Sequence, residues 1–181
     1  LERMVNDFLT LSRIDAGRFE LHLGKTDIHR VVDEIITVEG DRHPGHRLDN
    51  RVPPDLPQVT ADPDQLKRAI YNLVTNAIKY SPDGGPVTIG AGLSGGSVTI
   101  SVTDAGTGIR PEDRDRLFQR FARLDEHARR GSPGTGLGLS ITAAIAREHG
   151  GEVSVESEHG RGSTFTITIP VAGPAPGPRA A

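Results

Sequence analysis

Twelve of the 22 glycines lie between Gly84 and Gly138. Three of them alternate in Gly134-Thr135-Gly136-Leu137-Gly138, directly before a stretch of helical periodicity. Glycine permits left-handed backbone and lets the main chain approach another group closely. Such a concentration therefore demands tight turns and accessible backbone N–H groups in the second half of the chain. The rest of the composition is that of an ordinary globular protein, 35% hydrophobic and 25% charged, with aromatics at 4% and no Trp. A length of 181 residues suits one domain with its own core, or one domain plus a short appendage. The net charge of -3 argues against a nucleic-acid-binding protein, which would carry a basic surplus. The absence of Cys excludes disulfides, thiolate metal sites and cysteine nucleophiles. No apolar run approaches the roughly 18 residues that span a bilayer, and no signal-peptide pattern opens the chain.

Residues 1–16 have helical spacing, with Leu1, Met4, Phe8 and Leu11 at three- and four-residue steps and Val5 and Leu9 beside them. This is either an amphipathic helix lying on its own domain or the end of a bundle helix; the abrupt start favours the second. A second helix is expected over 28–38, capped by Thr26 or Asp27. Residues 40–58 carry four prolines and read as turns around one short strand. Asp62 and Pro63 open a long helix that runs to about residue 80 and stops at Ser81-Pro82-Asp83-Gly84-Gly85. Strands at 87–93 and 98–103 flank Ser94-Gly95-Gly96-Ser97, a hairpin signal. Residues 111–117 look helical and 122–136 form the longest loop. A helix over 137–149 precedes a second hairpin, 152–156 with 163–169. The stretch 172–181 is a Pro/Gly/Ala tail that reads as disordered. Hairpins with intervening helices predict an α+β fold with a mostly antiparallel sheet.

Four clusters carry chemistry. Asn72 and Asn76 lie one turn apart on the long helix, and Lys79 joins their face. Asn is a mediocre helix former, so a plain solvated surface would be better served by Ala, Glu or Lys. Side-chain amide oxygens at this spacing suit Mg²⁺, which keeps several waters and bridges substrate phosphates. Asp104-Ala105-Gly106-Thr107-Gly108-Ile109 ends a strand with a carboxylate fit to accept from a ring amine, although a simple turn is an alternative reading. Gly134 to Ser140 places exposed N–H groups at a helix N-terminus, where free donors and the dipole favour phosphate. A flexible glycine loop is the bland alternative. Between them, Leu117-Phe118-Gln119-Arg120-Phe121 and Arg123 offer aromatic anchors for the loop and arginines in reach of phosphate oxygens.

In this order the four clusters resemble the N, G1, F and G2 boxes of the sensor histidine kinase ATP-binding domain, a likeness that covers the chain from residue 1 to about 170. Residues 4–17 also resemble the end of that family's second dimerisation helix. The resemblance implies a two-layer α/β sandwich with helices on one face of a mixed sheet. It divides the chain into a dimerisation-helix remnant (1–17), an ATP-binding domain (24–171) and a tail (172–181). It implies ATP and Mg²⁺ as ligands, with Asn76 as metal ligand and Asn72 beside it. Asp104 would read adenine, Tyr80 pack by the base, and Lys79 and Arg123 approach the phosphates. Gly106, Gly108 and Ile109 would shape the adenine pocket. Gly134, Thr135, Gly136, Leu137, Gly138 and Leu139 would form the phosphate lid. Ala122 stands where many relatives have Tyr, and Thr107 where Asn or Pro is more frequent.

Hydrolytic members of the wider superfamily place a Glu one turn before the ligand Asn, as a base toward water. Here that position is Asn72, which takes no proton. Water and serine need a base; a neutral imidazole already offers a lone pair. The resemblance therefore implies phosphoryl transfer to histidine, with a bare ATP-binding module or a superfamily ATPase as alternatives. None of the seven histidines sits in a His-Glu-x-x-Thr-Pro sequence, so the acceptor is expected on a dimerisation domain outside this chain. Most histidines read as surface residues, and His149 as a helix-end residue favoured by partial positive charge. A response regulator and a homodimeric, membrane-anchored parent with this part in the cytoplasm are the partners and setting implied.

Overall fold

The computed structural model describes residues 2–122 and 135–175. Its elements are α1 (Glu2–Asp15), β1 (Gly24–Thr26), α2 (Ile28–Arg42), β2 (His46–Arg51), β3 (Val59–Ala61), α3 (Pro63–Lys79), β4 (Gly85–Ser94), β5 (Ser97–Asp104), a 3₁₀ helix (Pro111–Arg116), α4 (Gly138–Glu148), β6 (Glu152–Glu158) and β7 (Gly162–Pro170). A five-stranded sheet has the order β2-β4-β5-β7-β6. Among the described residues only the β2–β4 pair is parallel; β1 and β3 form a separate antiparallel pair.

Alternation along the strands explains why the helices cover one face. Val87, Ile89, Val98, Ile100, Val102, Phe165, Ile167 and Ile169 are buried. The residues between them on β4, β5 and β7 are Thr, Ser and Gly, with Thr99, Ser101 and Thr103 paired to Thr168, Thr166 and Thr164. β-Branched Thr suits a strand, and its hydroxyl tolerates water. The apolar face meets α3, whose Leu66, Ile70, Leu73 and Val74 are each at most 1% exposed. Each such side chain contributes roughly 1.5–3 kcal/mol of burial free energy. Asp62 caps α3, accepting from the N–H groups of Asp64 and Gln65 at 3.1 Å each, and Pro63 sits in the first turn. Helix α4 packs beside α3, with Thr142 Oγ1 3.5 Å from Ala69 O and its Ile141 and Ile145 side chains buried in the core.

Several details differ from the sequence expectations. Helix α2 runs past Gly40 to Arg42, a turn longer than expected. Its extra turn is anchored by Glu39, 2% exposed, which meets Arg42 Nη1 at 2.8 Å and His43 Nε2 at 3.5 Å. Strands β1 and β3 have three residues each, too few to carry a period, and are held by main-chain pairing and by Thr26 Oγ1 donating to Ala61 O. Residues 111–116 form a 3₁₀ helix, and the second hairpin turns more tightly, between Glu158 and Gly162. His149 stands at the end of α4, as expected, but is buried, 1% exposed, with both ring nitrogens hydrogen-bonded. Its Nε2 accepts from Asp62 N at 3.0 Å and its Nδ1 lies 2.8 Å from Ile145 O. Those two partners require the neutral Nδ1–H tautomer.

Helix α1 lies on its own chain by one side. Leu11 is buried, and Arg68 on α3 donates to Asp7 at 2.6 Å and Thr10 at 2.8 Å. Val5, Phe8 and Leu9 face outward, about half exposed, so the apolar seam seen in the sequence is split between two faces. Among the described residues no helix is long and apolar enough to cross a membrane.

Candidate functional site

A cleft opens between α3, the N-terminal end of α4 and the ends of β5 and β7. It has two joined halves. One is apolar, walled by Tyr80, Ile109, Leu117, Leu139 and Phe165, with Asp104 and Ser163 in it. The other is polar, bounded by Asn72, Thr75, Asn76, Lys79, Thr135, Gly136 and Gly138. Asn76, Tyr80, Leu117, Ala122 and Leu139 line both. An apolar slot holding one carboxylate and continuing into a groove of amides, a cation and backbone N–H groups suits a flat heterocycle carrying an anionic chain.

Asp104 is the carboxylate in the slot. It is 7% exposed, and its Oδ1 accepts from Gly106 N at 2.8 Å. Burial pushes its carboxyl above the ordinary Asp range, partly offset by the backbone N–H groups of Gly106 and Ser163. With two backbone donors on a group that can accept about four, a buried carboxylate retains capacity for a ligand N–H. At the other end, Lys79 Nζ stands 4.7 Å over the Tyr80 ring and donates to Tyr80 OH at 3.2 Å. Among the described residues, Asn76 makes no side-chain hydrogen bond that would occupy its amide.

The first turn of α4 is left open to an anion. Helices α2 and α3 are capped by Asp27 and Asp62, whereas α4 begins at Leu137 with no side-chain cap and no acidic residue in its first turn. Leu137 N donates to Thr135 Oγ1 at 3.2 Å, and among the described residues no side chain caps the N–H groups that follow at the positive dipole end. Gly136 has φ +71, and a Cβ there would lie 2.9 Å from the Phe121 backbone, so this position accepts glycine alone. Gly138 is different: a Cβ would come no nearer than 3.7 Å, to Asn72 Cγ.

Most of the expected residues converge on this cleft. Leu137 is a core side chain, 1% exposed, and Gly106 acts through its N–H on Asp104 rather than as lining. Arg120, expected near phosphate, is turned away into a fork on Asp15 at 2.5 and 2.6 Å, where its guanidinium holds the Asp15 carboxyl below the usual range. Arg123, Gly134, most of the 122–136 loop and residues 176–181 of the expected tail lie outside the described residues. Sequence reasoning missed Ser163 and Phe165. Their inward alternation on β7 was legible, but the β5–β7 register that sets Ser163 opposite Asp104 was not. Among the described residues no group of three or more His, Asp or Glu is placed to hold a metal ion. A divalent ion here would rest on the Asn76 amide together with oxygens of the ligand itself, as suits Mg²⁺ on a polyphosphate.

Residues 61–173 match the model of the histidine kinase-, DNA gyrase B- and HSP90-like ATPase family. The chain belongs to that family. Within it, the likeness is to histidine kinase catalytic domains. The chain is 40% identical over 174 residues to the histidine protein kinase DivJ of Caulobacter vibrioides, covering 93% of this chain and 28% of DivJ. It is 38% identical over 175 residues to the sensor-like histidine kinase SenX3 of Mycolicibacterium smegmatis, covering 94% of this chain and 44% of SenX3. The chain thus spans less than half the length of these relatives. Among solved structures, full-length ShkA in complex with AMPPNP superposes with a TM-score of 0.83 at 33% identity, over 99% of this chain and 37% of that one. The mycobacterial sensor histidine kinase MprB superposes with a TM-score of 0.71 at 30% identity, over 84% of this chain and 98% of that one. The family's sandwich, a mixed sheet with helices on one face, is the fold described above.

Proposed function

We propose that this chain is the catalytic, ATP-binding part of a sensor histidine kinase, binding Mg·ATP and donating the γ-phosphate to a histidine on a dimerisation domain. Asp104 is the observation that carries the reading: a buried carboxylate with acceptor capacity to spare, in an apolar slot walled by Tyr80, Ile109, Leu139 and Phe165, meets the exocyclic amine of adenine. The Tyr80 ring and Ile109 flank that ring, and the uncapped end of α4 with Thr135, Gly136 and Gly138 receives the phosphates. Lys79 lies at the phosphate end and adds charge. Mg²⁺ bound at Asn76 would neutralise charge developing on the phosphate oxygens. The chain's own contribution is positioning and water exclusion, since Asn72, standing where hydrolytic relatives carry Glu, supplies no base for water.

On this reading residues 1–17 are the end of a dimerisation helix, 24–171 the catalytic domain and 172–181 a linker. The parent is a homodimer anchored in the membrane with this part in the cytoplasm, and the phosphate passes on to a response-regulator aspartate. Label from [γ-³²P]ATP should appear on a separately supplied phosphoacceptor dimerisation domain and be abolished by Asn76→Ala. Nucleotide binding without transfer would reduce the chain to a binding module, and phosphate release by the chain alone would make it an ATPase.

Gly138→Ala separates ligand from fold. The methyl group finds ordinary contact distances in the unliganded protein, so thermal stability should hold or rise by a few tenths of a kcal/mol. The same methyl group intrudes on the phosphate groove, so ADP affinity by calorimetry should fall about tenfold. A parallel loss of stability and affinity would contradict this.

A further inference from the structure

We infer that Asn72 is a positioning residue that ties the phosphate-binding end of α4 to α3, and that its effect on nucleotide binding runs through this tie rather than through the metal. The inference rests on the ATP-binding reading above. Asn72 Nδ2 donates to Gly138 O, the first carbonyl of α4, at 3.2 Å. A carbonyl oxygen only accepts, so one amide orientation is required and the donor half of Asn72 is committed. The other side-chain bonds of this turn are mostly local: Thr135 Oγ1 accepts from Leu137 N at 3.2 Å, and Ser140 Oγ donates to Leu137 O at 2.9 Å. Thr142 Oγ1 sits 3.0 Å from Gly138 O and 3.5 Å from Ala69 O, a longer second link to α3. Asn72 and Gly138 both line the polar half of the cleft, so the tie lies at the site itself.

The tie also explains a constraint on chemistry. An acidic side chain at residue 72 would aim a carboxylate at the Gly138 carbonyl and lose the donor. Asn72 serves this turn as a donor, a role an ionised carboxylate cannot take.

The test compares Asn72→Ala, Asn72→Asp and Asn72→Gln with the unaltered chain by amide hydrogen exchange and by ADP titration with and without Mg²⁺. In the Ala and Asp variants, exchange at 141–142, the first amides of α4 with an acceptor inside the helix, should rise about tenfold while the middle of α3 keeps its protection, one neutral hydrogen bond's worth of local stability. Metal-free ADP affinity should fall by a similar factor, and the gain on adding Mg²⁺ should stay as in the unaltered chain. Asn72→Gln, which keeps a donor, should recover part of both. Unchanged exchange at 141–142, or an Asp variant that binds Mg·ADP as well as the unaltered chain, would overturn the inference. If the unaltered chain binds no ADP, the nucleotide reading fails separately, and exchange alone still decides whether the tie exists. Should the Ala variant not fold, the Asp and Gln pair carries the same comparison.

Discussion

Asp104→Asn is expected to lower adenine-nucleotide affinity about 100-fold, near the roughly 1.5–3 kcal/mol of a hydrogen bond to a charged acceptor. The substitution keeps an acceptor for Gly106 N, which lies 2.8 Å from Oδ1. It also turns the second oxygen into an N–H₂ donor that faces the donor amine of adenine. Guanine and hypoxanthine nucleotides, which offer a carbonyl at that ring position, should lose far less. Stability should move the other way. Burial raises the Asp104 carboxyl above its ordinary range, so the folded state prefers the protonated form. That preference stabilises fully below the ordinary Asp range and is lost as pH rises through the raised value. At neutral pH the Asn variant should therefore unfold at an equal or higher denaturant concentration than the parent, with the advantage disappearing in acid. A variant destabilised at neutral pH that still binds ADP would place the adenine contact elsewhere.

Gly108→Ala is expected to cost about 3 kcal/mol or more of stability. Gly108 has φ +61, and a Cβ built there would lie 2.0 Å from the Glu158 carbonyl oxygen. Left-handed backbone costs an L-residue roughly 1–2 kcal/mol and overpacking against main chain about 1–3 kcal/mol. The obstacle is backbone at the β6–β7 turn, which offers no rotamer to move aside. For a chain of this length the melting temperature should drop by about 10 °C. Gly24→Ala is the control, since Gly24 has no positive φ and no atom within 4 Å of the added carbon. Thermal unfolding followed by circular dichroism decides the matter. Equal melting temperatures for Gly108→Ala and the parent would mean that the β6–β7 turn yields freely.

What could be read from the sequence was local. Asp62-Pro63 at one end and Ser81-Pro82 at the other bounded α3, and helical spacing alone put Asn72, Asn76 and Lys79 on one face. Asp104 at a strand end and Gly138 at a helix start were legible for the same reason. The unread parts depend on partners far along the chain. Arg120 finds Asp15, 105 residues earlier, instead of a phosphate. His149 is neutral and buried because it meets Asp62, 87 residues away, and no neighbour of His149 signals that encounter. Ser163 joins the slot only through the β5–β7 register. Strands β1 and β3 are too short to leave a pattern at all.

The two helices beside the cleft are fastened at opposite ends. Asn72 and Gly138 join them near the groove, and Asp62 and His149 join the start of α3 to the end of α4. In mechanical terms they form a beam pinned near both ends, with the longer Thr142–Ala69 contact between the pins. The far pin does not stop there, because Asp62 Oδ2 also accepts from His22 N at 2.8 Å. His22 lies in the connection between α1 and β1. A continuous run of packed helix and hydrogen bonds thus leads from the groove to the connection that follows α1.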